Sequence, residues 1–212
     1  MTHFKAAPAT FVIAGVTAII SLIVTLFGFE PQATLYAGFI PGRASLVLAG
    51  DVPGLAPVVL TPLTATLVHG GPLHLLFNLV TLVYCGIATE RALGSRGVVV
   101  LYLLGAYAAC VAQWVVGPQS PVPMIGASGA ASAIVGAYAL LYGRQKTQDV
   151  GPVPGWLIHV GWLLVAWSLL NLAIGVLSAQ TGMPIAAAAH IGGFVLGLAL
   201  CRPLLLWNWR GA

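Results

Sequence analysis

Residues 125–143 read IGASGAASAIVGAYALLYG, an apolar run without one charged side chain. A bilayer core takes about 20 such residues per helix. Gly117, Pro118, Pro121 and Pro123 crowd the stretch before it, so the helix should begin close to Ser128. Outward from this run, comparable stretches lie at 9–29, 73–93, 97–116, 155–177 and 185–207. The second of these is strongly apolar only as far as Ala88 and is extended through Thr89–Leu93. The expected fold is an all-α membrane bundle of six transmembrane helices.

Composition agrees with that expectation. Of 212 residues, 59% are hydrophobic and 6% charged, and the mean hydropathy is +1.01. A soluble domain carries about 25% charged residues. No polar stretch is long enough for a separate soluble domain, so residues 1–212 are read as one membrane unit. The first apolar run is too long for a signal-peptide core and lacks a clear cleavage site, so it counts as a helix. Cys85, Cys110 and Cys201 lie in or at the ends of apolar runs and suggest no disulfide framework.

The net charge of +4 points to topology rather than nucleic acid. Lys5, Arg91, Arg96, Arg144, Lys146, Arg202 and Arg210 all fall on one side if the N-terminus is cytoplasmic, and only Arg43 falls outside. Both termini are therefore expected in the cytoplasm. The first outer loop, from Glu30 to Pro72, holds five prolines within Pro31–Pro62 and the apolar stretches 44–49 and 58–68. It is too broken to span and too apolar for a solvated loop, so it reads as membrane-associated, interfacial or re-entrant.

Polar residues inside a membrane are costly, and they mark either helix–helix hydrogen bonds or chemistry. Ser128 opens the fourth helix, where unpaired backbone N–H groups can receive an anion. A serine nucleophile needs a base. His190 is placed for this on the stripe Ala186, His190, Gly193, Gly197, and the fourth helix offers its own small stripe through Ser128, Ala131, Ser132, Val135 and Gly136. Both helices run inward and both residues lie within about five positions of the outer end, hence roughly 5–10 Å deep at 1.5 Å per residue. His69, His74 and Asn78 lie at that depth too, and His74 and Asn78 share a face at i, i+4. Glu30, Asp51, Glu90 and Asp149 are all placed away from His190, so a Ser–His dyad is expected rather than a triad with an acid. The histidines lack an accompanying acid or cysteine, which disfavours a metal. His3 and His159 read as solvated or structural.

The order His69-x4-His74-x3-Asn78, Glu90-x3-Gly94, Gly126-Ala127-Ser128-Gly129, Ala189-His190-x-x-Gly193 resembles the rhomboid protease pattern across helices two to six. That resemblance implies Ser128 as nucleophile and His190 as base. It implies oxyanion or substrate contacts from Asn78, His74, Gly126 and the Ser128 backbone N–H. Support is implied from His69, Glu90, Gly94, Gly129, Gly193 and Gly197. It further implies cleavage of transmembrane substrate proteins near their outer ends, no cofactor, and a multi-pass place in the bilayer, expected to be a bacterial inner membrane. Two departures from the pattern stand out. Leu60 and Thr61 stand where many rhomboids carry Trp-Arg, and Ser132 stands where some bacterial members carry a tyrosine that stacks on the histidine.

A transporter would be expected to show repeated or interrupted halves around a central site, and none is visible. A rhomboid-fold binding or chaperone protein without activity would be expected to lack Ser128 or His190. Hydrolysis also needs water, so a polar cavity opening outward is expected between the helices that carry His74, Ser128 and His190. The first loop and Ser178–Pro184 are its expected walls.

Overall fold

In the computed structural model the described residues are 6–50, 57–143, 147–180 and 185–210, with side chains of 178–180 left out. Lys5, Asp51, Arg144, Lys146 and Pro184 therefore lie outside them. Helix α1 is Pro8–Leu26, and the short helices α2 (Glu30–Ala37), α3 (Pro41–Ala49) and α4 (Thr61–Thr64) follow, with a 3₁₀ turn at Ala65–Leu67. Pro72–Val116 breaks at Gly94, whose φ of +72° and ψ of 166° leave the helical region. The break yields α5 (72–93) and α6 (95–116). Helices α7 (Ser128–Tyr142), α8 (Gly155–Gln180) and α9 (Ala187–Asn208) complete the chain. Pro72–Val116, α7 and α9 pack against one another, α1 lies on Pro72–Val116, and α8 rests chiefly on α9.

Burial runs opposite to that of a soluble protein. On α1 the inward residues are Thr10, Ala14, Thr17 and Ser21, spaced four, three and four apart. Val12, Ile19 and Leu26 of the same helix point outward, as do Leu73, Phe77 and Trp162 elsewhere. On α1 small and polar groups make the helix contacts while bulky apolar groups face away, the arrangement a lipid solvent favours, whereas Leu82, Leu93, Leu101, Ile134 and Phe194 fill the interior of the bundle. Pro8–Leu26, Pro72–Val116, Gly155–Leu177 and Ala187–Asn208 are long and apolar enough to cross a membrane, and Ser128–Tyr142 is a shorter apolar helix.

Several expected boundaries shift by two or three residues, among them the end of the fifth helix, at Gln180 rather than 177, and the start of the sixth, at Ala187 rather than 185. The first helix ends at Leu26 rather than 29, because Phe27 and Gly28 turn the chain into α2. The third begins at Ser95, directly after the Gly94 break, rather than at 97. Within the fourth run the helix begins at Ser128, the start expected from the crowded glycine and prolines before it, because Gly126 holds a φ of +106° that no helix accepts.

Glu90 is 3% exposed, far from the solvated state a charge near a membrane edge would suggest. Its carboxylate accepts the N–H groups of Ala9 (2.9 Å) and Thr10 (2.7 Å) and the hydroxyls of Thr10 (2.7 Å) and Ser95 (2.6 Å). One acid thus caps the start of α1 and ties it across the α5–α6 bend. Gly94 lies there too: a Cβ would come within 2.5 Å of Asn208 Oδ1 at the end of α9.

Candidate active site

Close helix contact brings the serine and histidine together. A Cβ on Gly193 would collide with the Gly129 carbonyl oxygen, one on Gly197 with that of Ala133, and one on Gly136 with that of Phe194. Helices α7 and α9 therefore touch backbone to backbone along the two small-residue stripes. The contact leaves Ser128 Oγ 2.7 Å from His190 Nε2. Both residues keep part of their surface exposed, so solvent has a route to them.

Gly126 gives the approach to Ser128 its shape. Its N–H donates to the Ala65 carbonyl (2.9 Å), so that group is already committed within the protein. What Gly126 supplies is room, since a Cβ would lie 2.8 Å from both Cε1 and Nε2 of His74 and 3.9 Å from Asn78 Nδ2. His74 and Asn78 thus converge from α5 on a point two residues before Ser128. The Gly70 N–H donates to His74 Nδ1 at 3.2 Å. A neutral imidazole that accepts at Nδ1 carries its proton on Nε2, and that N–H faces the glycine. Asn78 Nδ2 gives one hydrogen to the His74 carbonyl (2.8 Å), which leaves its second available.

His69 is 2% exposed. The Ala127 N–H donates to its Nε2 (3.3 Å), and its Nδ1 donates to Ser21 Oγ (2.8 Å), whose own hydroxyl donates to the Leu67 carbonyl (2.8 Å). Burial first, and His74 second, hold the His69 pKa down at about 4. The ring is neutral at physiological pH, with one donor and one acceptor both used. It joins α1, the first loop and the residue preceding Ser128.

One residue of the site escaped the sequence reading. Asn171 of α8 places Oδ1 2.7 Å from His190 Nδ1. The available signal was an amide between Leu170 and Leu172 in the middle of a mainly apolar helix. Its neighbour Trp167 donates from Nε1 to the His190 carbonyl (3.2 Å) and stacks on Phe194 at 4.9 Å between centroids. Ser132 does not reach the imidazole by a hydrogen bond of its hydroxyl, which donates to the Ser128 carbonyl (2.8 Å).

The family profile of the rhomboid domain matches residues 58–207. The chain belongs to the rhomboid family. It is 29% identical over 196 residues to rhomboid protease GlpG of Pectobacterium atrosepticum, covering 92% of this chain and 62% of that protein. It is 32% identical over 135 residues to rhomboid protease GluP of Bacillus subtilis (64% and 24% covered). Over 149 residues it is 30% identical to RHOMBOID-like protein 4 of Arabidopsis thaliana (68% and 34% covered). The chain thus spans less than two thirds of each relative's length. With its apolar helices, it is an integral membrane protein.

In this rhomboid the first loop is held without Trp-Arg. Phe39 and Met124 exchange backbone hydrogen bonds (3.0 and 2.7 Å), and the Gly42 N–H donates to the Ser120 carbonyl (2.9 Å). Ser45 Oγ donates to the Pro118 carbonyl (2.6 Å) and accepts from Trp114 Nε1 (2.8 Å). Thr61, in place of arginine, is buried and caps its own turn by donating to the Val58 carbonyl (2.7 Å). Main-chain pairing with 118–124 thus takes the place of a charged anchor. A groove of about 660 Å³ runs beside α5, between Leu79 and Arg91, with Tyr138 on its far wall. It is mostly apolar and touches none of His74, Ser128 and His190, so it is a different place from the cavity expected above Ser128, whose expected wall at Ser178–Pro184 lies outside the described side chains.

Proposed function

We propose that this chain is an intramembrane serine endopeptidase that cuts transmembrane segments of other proteins near their outer ends. The 2.7 Å approach of Ser128 Oγ to His190 Nε2 carries this reading, and the relatives named as rhomboid proteases support it. In the first half-reaction His190 Nε2 takes the Ser128 proton as Oγ attacks the scissile carbonyl carbon. The oxyanion is met by the Ser128 N–H at the start of α7, by His74 Nε2–H and by the second Asn78 N–H. The C–N bond then breaks, and His190 returns its proton to the leaving amine. In the second, water gives a proton to His190 and attacks the acyl ester, releasing the new carboxyl terminus and restoring Ser128.

Reconstituted in liposomes with a panel of single-span membrane proteins, the parent chain should release two fragments from at least one substrate. The Ser128→Ala chain should release none. Equal cleavage by both would end this reading.

The six-span arrangement is part of the same proposal, counting α5 and α6 separately and including α7. Its orientation follows from the basic residues, seven of which fall on the cytoplasmic side with Arg43 outside. Reporter fusions after Gly143 should register cytoplasm, and fusions near Gln119 the outside. The reverse pattern would place Ser128 at the cytoplasmic face.

A further inference from the structure

Helix α8 is the outermost of the long helices: only 6% of its most apolar window is buried. Leu170 and Leu172 are 51% and 52% exposed, yet Asn171 between them is 4% exposed. An amide turned away from water costs several kcal/mol in order of magnitude unless both its ends find partners. Both do. Nδ2 donates to the Trp167 carbonyl at 2.9 Å, one turn earlier on the same helix. That bond fixes which end of the amide faces His190, so the group 2.7 Å from Nδ1 is the oxygen. An amide oxygen only accepts. The imidazole must therefore carry its proton on Nδ1, which leaves the Nε2 lone pair to face Ser128 Oγ.

We propose that Asn171 is the positioning residue for His190, selecting the Nδ1–H tautomer that can accept the Ser128 proton. The proposal rests on the reading of Ser128 and His190 as nucleophile and base. It explains how the ring is held although Ser132 offers no aromatic face and, among the described residues, no carboxylate bonds to it. When Nε2 takes the proton, the Nδ1–H···O bond becomes charge-assisted and strengthens. A carboxylate would do the same at the cost of a second buried charge, which an apolar setting penalises heavily. Trp167 reinforces the joint by gripping the His190 carbonyl and stacking on Phe194. The orienting group thus sits on the helix least bound to the rest of the bundle.

Nitrogen-15 NMR of the full-length parent chain, labelled at histidine and assigned through His190→Gln, reads the tautomer directly. A protonated Nδ1 with bare Nε2 is expected, and the opposite tautomer overturns the proposal. Asn171→Leu keeps the branched outline, with added bulk, and removes the acceptor. It should lower kcat by about 10–100-fold, as loss of a group that orients a histidine does elsewhere, with KM and thermal stability near parent values. Asn171→Asp in its protonated form retains both bonds, its carbonyl oxygen accepting from Nδ1 and its O–H replacing the amide donor to the Trp167 carbonyl, and should recover most of that loss. An Asn171→Leu chain within about threefold of parent kcat would overturn the proposal. So would Asn171→Asp as impaired as Asn171→Leu, since shape rather than acceptance would then matter. Undiminished cleavage by Ser128→Ala is a separate result that overturns the underlying nucleophile assignment and leaves the tautomer measurement unaffected.

Discussion

Ser128→Ala and His190→Ala should each reduce cleavage of a membrane substrate by about 10⁴-fold or more, and the double variant should be no worse than either. The reason lies in the 2.7 Å contact between Oγ and Nε2. A serine hydroxyl is a weak nucleophile until a base takes its proton during attack. With the hydroxyl gone the base has no proton to accept, and with the imidazole gone the hydroxyl keeps its own. Two residues that act as one unit give losses that do not add. Multiplied losses in the double variant would mean that Ser128 and His190 act separately. Folding should survive both changes, because helix contact at this point is made by Gly129, Gly136, Gly193 and Gly197.

Asn78→Ala should lower kcat by roughly 10–1,000-fold, the upper part of that range matching the loss of one oxyanion donor, about 3–4 kcal/mol of transition-state stabilisation. Asn78 is buried with one N–H committed to the His74 carbonyl, and the second N–H becomes useful only when negative charge develops beside Ser128. An interaction made in the transition state alone appears in kcat and leaves KM near its parent value. His74→Ala removes the Nε2–H from the same cluster and should act in the same direction. A rise in KM with kcat unchanged would make Asn78 a substrate-positioning group instead.

What the sequence disclosed followed from local rules. The length of each apolar run located the helices, since the bilayer sets that length. Depth arithmetic put Ser128 and His190 at one level, and the glycine stripes indicated two helices able to approach closely enough to join them. Where the reading stopped, the deciding contacts were remote in sequence. Asn171 meets His190 across the packing of α8 on α9, where Trp167 also stacks on Phe194, and nothing local to Asn171 specifies that packing. The support expected from Glu90 came without its partners, because Ala9 and Thr10 are some 80 positions away. The first loop is secured by main-chain bonds between Phe39 and Met124, and such bonds leave no trace in side-chain identity.

The claim that Ser128 is a nucleophile activated by His190 is tested most directly by locating a covalent adduct. The purified parent chain, treated in micelles with a small fluorophosphonate and digested, should carry the phosphonyl group on Ser128 when analysed by mass spectrometry. The His190→Ala chain should acquire it far more slowly or not at all. Modification of another serine, or labelling of Ser128 at the same rate without His190, would contradict the claim.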